Sequence, residues 1–290
     1  MDITGAERGY LHEQFRLFHT RDQADLQVDW HYHAFDKLVF FLSGQVEYSV
    51  ESETYQLCAG DLLTIARGQL HRMHAKGATP YERIILYLSR GYLLSLAPEA
   101  GGLAQCFDRA QQQGSSLLRL GESERAALMI LLQKLERSLN DSSRYASAFS
   151  QALLTELMIL ICRAAENPAT PLPDAQTDEK IAQALSYIQT HLGENLACDA
   201  IAAHLFMSRS SFQHRFRTAT GYSPHAYIRL KRLLRASELL SDGHPAVKVG
   251  KMCGYTDHSA FCHAFTQHFG MPPSLFRPQN NLDNPIKADE

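Results

Sequence analysis

The run RSSFQHRFR, beginning at Arg209, places hydrogen-bonding side chains on one side of a predicted helix and aromatic rings on the other. Phe212 and Phe216 stand four apart and so share a face that can be buried. The opposite face shows Arg209, Ser210, Ser211, Gln213, His214 and Arg217. Amide, imidazole and hydroxyl groups held this way can exchange hydrogen bonds with base-pair edges. Guanidinium and ammonium groups attract phosphates whatever the sequence. A second run, HSAFCHAF from His258, keeps the design: Phe261 and Phe265 lie inside, while His258, Ser259, Cys262 and His263 face outward. We read Gln213, His214, His258 and His263 as contacts to base edges. Arg217 and Lys231 are phosphate-facing or merely solvated, and Cys262 is divided between a DNA contact and simple packing.

The elements that must position these side chains repeat as well. Phe212 and Phe261, Phe216 and Phe265, Gly221 and Gly270, Pro224 and Pro273, and Tyr227 and Phe276 all keep one fixed offset. In the first copy, LACDAIAAH (196–204) reads as a short helix, LFM as a turn, Ser208 as an N-cap and Gly221 as a left-handed stop. A bracing helix, a tight turn and a second helix with a polar outer face are what reading the major groove requires. Between the copies, SPHAYIRLKRLLRASELL reads as one long helix with Tyr227, Leu230, Leu234 and Leu239 inward. It would hold the two readers about one turn of DNA apart.

The whole chain, 290 residues with 45% hydrophobic and 20% charged side chains, allows two globular domains. Its net charge of −3 is unevenly spread: residues 180–279 hold eleven basic and five acidic side chains, and the remainder is acidic. Only the basic end is suited to a polyanion. MDITGAERGY shows no secretory pattern. The runs LMILL from Leu128 and LMILIC from Leu157 are too short to span a bilayer. The six cysteines show no paired spacing, which fits reduced thiols in a cytoplasmic protein. ENPATPLPDAQTD, 166–178, reads as a linker. Before it, Leu128, Leu131, Leu132, Leu135 and Leu139 recur at helical spacing, as do Phe149, Leu153, Leu157, Leu160 and Ile161. These two helices either pack on their own domain or form a dimer interface, or both. Upstream of about residue 90, QVEYSV, KLVFFLSG and RIILYL read as short strands of a small jelly-roll barrel.

Residues 180–277 resemble the DNA-binding region of the AraC/XylS family of transcription regulators. The resemblance rests on Ala202, Ser208, Phe212, Phe216, Gly221, Ser223, Pro224 and Tyr227 in the first unit. In the second it rests on Gly254, Tyr255, Asp257, Phe261, Phe265, Gly270, Pro273, Phe276 and Arg277, with Arg232 and Ala236 between. It implies seven helices and two helix-turn-helix units. Gly250 stands where the family usually has alanine, Pro272 where it has serine and Thr266 where a basic residue is common, so the second reader is the less cationic.

HYHAFDKLVFFLSG and AGDLLTIARGQLH resemble the two motifs of the cupin barrel, through His31, His33 and Gly44, then Gly60, Gly68 and His71, with Lys37 where glutamate belongs and Ala66 where proline belongs. In metal-bearing cupins three histidines and that glutamate converge on a metal. In many AraC-type regulators the same positions line an effector pocket. Lys37 removes an anionic ligand and either adds a cation or turns to solvent. Three histidines alone can still hold zinc or nickel, can hydrogen-bond a polar ligand, or can be structural. Glu47 and Arg83 lie on strands with their direction open.

The expectation is therefore an α+β, non-enzymatic, cytoplasmic regulator of double-stranded DNA. Its parts are a cupin-like barrel (1–100), a helical dimerisation segment (101–165), the linker, a double helix-turn-helix domain (179–279) and a tail (280–290). The resemblance implies an activator, acting as a homodimer with RNA polymerase. Its small polar effector, such as a sugar, would be held by His31, His33, Lys37 and His71 without a metal cofactor. A cupin metalloenzyme with an appended helical domain is the rival reading.

Overall fold

The computed structural model describes residues 7–166 and 176–276, Ala24 excepted. Most of the linker, Arg277, the tail and the first six residues of the N-terminal stretch lie outside the described residues. The chain divides into two compact units: residues 10–29 with 33–176, and residues from 177 onward with 30–32 and the N-terminal stretch to Gly9.

Nine strands, all of the first unit except for the last two residues of β2, build the sheets: β1 (Phe15–Asp22), β2 (Gln27–His31), β3 (Asp36–Ser43), β4 (Gln45–Val50), β5 (Glu53–Gln56), β6 (Asp61–Ile65), β7 (His71–Lys76), β8 (Tyr81–Leu88) and β9 (Leu117–Arg119). One antiparallel sheet has the order β1-β8-β3-β6-β9, and the other contains β5-β4-β7-β2. The cupin-like fold is thus two separate sheets sharing a core, rather than a cylinder closed by hydrogen bonds. That core takes Val39 and Phe41 of β3, Leu63 and Ile65 of β6, Val46, Tyr48 and Val50 of β4, and Met73 and Ala75 of β7.

The other side of the first sheet is covered by α1 (Arg90–Ser95), α2 (Gln105–Gln113), α3 (Glu122–Leu139) and α4 (Ala146–Glu166). Leu38 and Phe40 of β3, Leu62 of β6 and Ile84, Leu86 and Leu88 of β8 pack there against Leu128, Leu132, Leu157 and Ile161. A strand alternates its side chains between two faces, and both faces of β3 are buried, so its sequence is an unbroken apolar run behind Lys37. Asp36, fully buried at the start of β3, accepts from the Arg67 backbone N–H at 2.9 Å and from Arg90 at 3.2 Å. Arg90 also pairs with Asp108 of α2, which ties the helical layer to the sheet. The β3–β4 turn passes through Gly44 at φ +121°, where an added Cβ would lie 3.1 Å from the Tyr81 Cα.

The two apolar helical patterns do form one pair packed on their own domain. Leu139 and Phe149 depart from the stripe and are 43% and 54% exposed. α4 extends on both sides of LMILIC and, by length and composition alone, meets the requirement for a membrane span. Here Leu153, Leu154, Leu157, Met158 and Ile161 are instead buried in the core against the sheet.

The second unit is helical: α5 (Glu179–Thr190), α6 (Cys198–His204), α7 (Arg209–Thr220), α8 (Pro224–Ser241), α9 (Ala246–Met252) and α10 (His258–Phe269). Among the described residues of this unit there are six helices, not the seven the resemblance implies; residues 273–275 form a turn, with the Leu275 N–H on the Pro272 carbonyl at 3.0 Å. α8 packs against α7, α9 and α10. Phe216 meets Tyr227 edge-on at 5.3 Å in the first half, and Phe265 meets Phe276 at 5.3 Å in the second.

Candidate DNA-reading surface and effector pocket

α7 and α10 begin on side-chain caps. Ser208 accepts from the Ser211 N–H at 3.2 Å to start α7, and Asp257 accepts from the Ala260 N–H at 2.6 Å to start α10. They end at Gly221 and Gly270, with φ of 77° and 71°. Phe212, Phe216, Phe261 and Phe265 are all fully buried. That orientation leaves Arg209, Ser210, Ser211, Gln213, His214 and Arg217 exposed on α7, and His258, Ser259 and His263 exposed on α10. Cys262 is half-buried, its Sγ 3.5 Å from His258 Nε2.

The two copies differ in their turns. α6 ends at 204 and α7 starts at 209, whereas α9 ends at 252 and α10 starts at 258, so the second turn holds one residue more. Its left-handed position is Gly254, at φ 77°; in the first it is Phe206, at φ 53° and 92% exposed. Gly250, the departure from the usual alanine, has a local reason: an added Cβ would lie 3.0 Å from the Phe261 ring.

Several basic residues in this unit are committed to its own framework. Arg232 donates to the carbonyls of Leu192 at 3.0 Å and Glu194 at 2.5 Å. Arg215 holds Asp178 through two hydrogen bonds of 2.8 and 2.6 Å, while Asp178 caps α5. Lys231 lies over the Tyr227 ring at 5.1 Å. On the α7 face, Arg209 reaches Asp199 at 3.1 Å, a surface pair worth little in stability but able to orient the guanidinium. The sequence excess of basic side chains therefore overstates what phosphates would meet.

The ligand atoms of His31, at the end of β2, His33, between β2 and β3, and His71, at the start of β7, gather within 4.8 Å of one another. β2 and β7 are neighbours in one sheet, which brings His31 to His71. His71 Nδ1 lies 3.0 Å from the Gln69 carbonyl; a carbonyl only accepts, so Nδ1 carries a proton there. Lys37 does not turn to solvent. It shares the inner face of β3 with Val39 and Phe41, is 7% exposed, and sets Nζ 3.4 Å from both His33 Nε2 and Tyr48 Oη. Burial, with Arg83 adding repulsion, pushes its pKa down to about 7. Burial also pushes the Tyr48 hydroxyl far above its ordinary value.

Arg83 lies on the same β8 face as Tyr81 and Tyr87, stacks on Tyr81 at 4.1 Å and pairs with Asp22. Glu47 lies on the opposite side of its strand from Tyr48 and takes a hydrogen bond from Gln56 at 3.1 Å. Sequence reasoning missed Tyr48, Tyr81 and Tyr87. The signal was there: alternation puts 81, 83, 85 and 87 on one face and 46, 48 and 50 on another. Three imidazoles at this spacing satisfy the donor count of a zinc site with an open position. An amine 3.4 Å from one donor, where a carboxylate would serve a metal, suits a polar ligand better.

A ligand-binding domain of paired sheets joined to a double helix-turn-helix unit defines a DNA-binding regulator. Residues 15–158 match the model of the AraC-like ligand binding domain and residues 201–279 match that of a helix-turn-helix domain. The chain belongs to the AraC/XylS family of transcription regulators. It is 24% identical over 256 residues to the probable transcriptional regulator LumQ of Photobacterium leiognathi, covering 87% of this chain and 93% of that one. It is 26% identical to the transcriptional activator RhaR of Pectobacterium carotovorum, covering 85% of each. It is 22% identical to the lactose operon transcription activator of Staphylococcus xylosus, covering 89% of each. Apo ToxT from Vibrio cholerae overlays 91% of the chain and 96% of its own at 12% identity, with a TM-score of 0.40.

Proposed function

We propose that this regulator is a transcription activator that reads promoter DNA through α7 and α10 and answers to a small polar effector held by His31, His33, Lys37 and His71. The observation that carries the reading is the exposed polar face of α7, Gln213 and His214 above all, set on a capped helix behind two buried phenylalanines. Relatives that are named as activators, one of a lactose operon, support the sign and the class of effector. The half-apolar outer surface of α3 and α4, with Ile130, Leu139, Phe149 and Ile159 exposed, supports a homodimer. Such a dimer would act in the cytoplasm and engage RNA polymerase. It would need no metal and catalyse nothing.

Because the cluster's side chains touch one another, an effector enters by displacing them, and the filled pocket differs from this one. A thermal-shift screen of sugars and amines tests this. A hit that protects the wild type but not a His31→Ala, His71→Ala double variant is expected, and equal protection of both would remove the pocket from the mechanism. Metal analysis of purified protein is expected to show well under one equivalent; stoichiometric iron or manganese with turnover would favour the metalloenzyme.

Gln213→Ala is expected to weaken operator binding by at least ~1 kcal/mol while leaving binding to random DNA nearly unchanged. Titrations of both DNAs at one salt concentration check this. Equal losses would make Gln213 a backbone contact.

A further inference from the structure

Cys106 lies in the first turn of α2 and is 2% exposed; Cys162 lies in the last third of α4 and is half-buried. The two helices pack together in the same hydrophobic cluster, and the thiols are hydrogen-bonded to each other. The Cys162 sulfur also accepts the Cys106 backbone N–H and sits 3.6 Å from the Leu103 carbonyl oxygen, so it is fixed against the start of α2. Two free thiols in contact across a helix pair are the starting point for a disulfide. We propose that Cys106 and Cys162 form a redox site, joining in a reversible disulfide that staples α2 to α4.

The pair is asymmetric. The hydrogen bond from Cys106, helped by Arg109, draws the Cys162 thiol below its ordinary pKa. The same bond and burial drive the Cys106 thiol well above its own. Cys162, the more exposed and the more ionised, is the attacking sulfur. With a low-molecular-weight disulfide such as oxidised glutathione as oxidant, the Cys162 thiolate attacks one sulfur, the small S–S bond breaks and one glutathione thiolate leaves. That thiolate takes the Cys106 proton, Cys106 attacks the Cys162 sulfur, and the second glutathione departs. Two protein thiols and one small disulfide become one protein disulfide and two small thiols. Cys58, exposed and 3.6 Å from an Arg119 nitrogen, has no such partner role in this scheme and serves as an internal control.

The test uses the full-length chain equilibrated in glutathione redox buffers, alkylated, digested and mapped by mass spectrometry. Expected is one linked peptide pair joining positions 106 and 162, loss of two of the six free thiols, and full reversal by dithiothreitol. In Cys106→Ser, Cys162 should instead accumulate a glutathione adduct, and in Cys162→Ser the linked pair should vanish without an adduct at 106. A wild type that carries glutathione on Cys162 with no link to Cys106, or that links either residue equally to Cys58, overturns the proposal. The wild-type map decides by itself if the buried Cys106→Ser change prevents folding.

Discussion

Phe265→Ala is expected to destabilise the DNA-binding unit by about 3–5 kcal/mol and to leave the effector unit untouched. Phe265 is fully buried, with ring centroids at 4.5 Å from Phe269, 5.7 Å from Phe261 and 5.3 Å from Phe276. Its removal opens a cavity among aromatic rings fixed on α10 itself and on the segment that follows it, so little can collapse to fill it. A domain of this size is stable by only about 5–15 kcal/mol, so the loss is a large share of the whole. Hydrogen exchange followed by mass spectrometry should show lost protection over 246–276 and none over 36–88. Phe206→Ala supplies the contrast: that ring is 92% exposed, and its deletion should change stability by less than about 0.5 kcal/mol. Comparable losses from both variants would mean that the apolar cluster does not carry the fold of this unit.

Lys37→Met should make the protein more stable at pH 7, by about 2–4 kcal/mol, and the gain should disappear as pH rises towards 10.5. The folded chain holds the Lys37 pKa at about 7, below its ordinary 10.5, because burial penalises the ammonium. Between those values the unfolded state binds the proton and the folded state does not, so wild-type stability climbs with pH across that window. Below about pH 7 the full penalty applies; above 10.5 none remains. A neutral, similarly shaped side chain removes the penalty and with it the slope. Denaturant melts of both proteins from pH 6 to 10 measure the difference, in which all other titrating groups cancel. A gain that does not vary with pH, or a loss at pH 7, would show that the 3.4 Å contacts to His33 and Tyr48 outweigh burial of the charge. The variant should also lose its thermal response to effector.

Much of this architecture can be read without coordinates, for identifiable reasons. The caps Ser208 and Asp257, the stops Gly221 and Gly270 and the paired phenylalanines are local devices, and local devices leave local signatures. QVEYSV is legible as a strand because one of its faces is polar. β3 is harder: with both faces buried, alternation no longer separates inside from outside, so the direction of Lys37 was open until the sheet partners were known. Glu47 and Arg83 posed the same problem on strands of mixed pattern. Charge is legible as a sum but not as a set of partners. Nothing in the sequence says that Arg232 and Arg215 are spent on Leu192, Glu194 and Asp178, since those pairings cross 37 to 40 positions of chain. Nor could a repeat aligned on its recognition helices show that the two turns differ by a residue, because the extra residue falls before the first matched phenylalanine.

Lys37 and Leu38 are successive residues of β3, yet one touches the basic cluster and the other lies against the helical layer. A molecule that pushes the amine aside pulls on a strand whose very next side chain is wedged beneath α3 and α4. News of occupancy has a single peptide unit to cross before it reaches the helical layer.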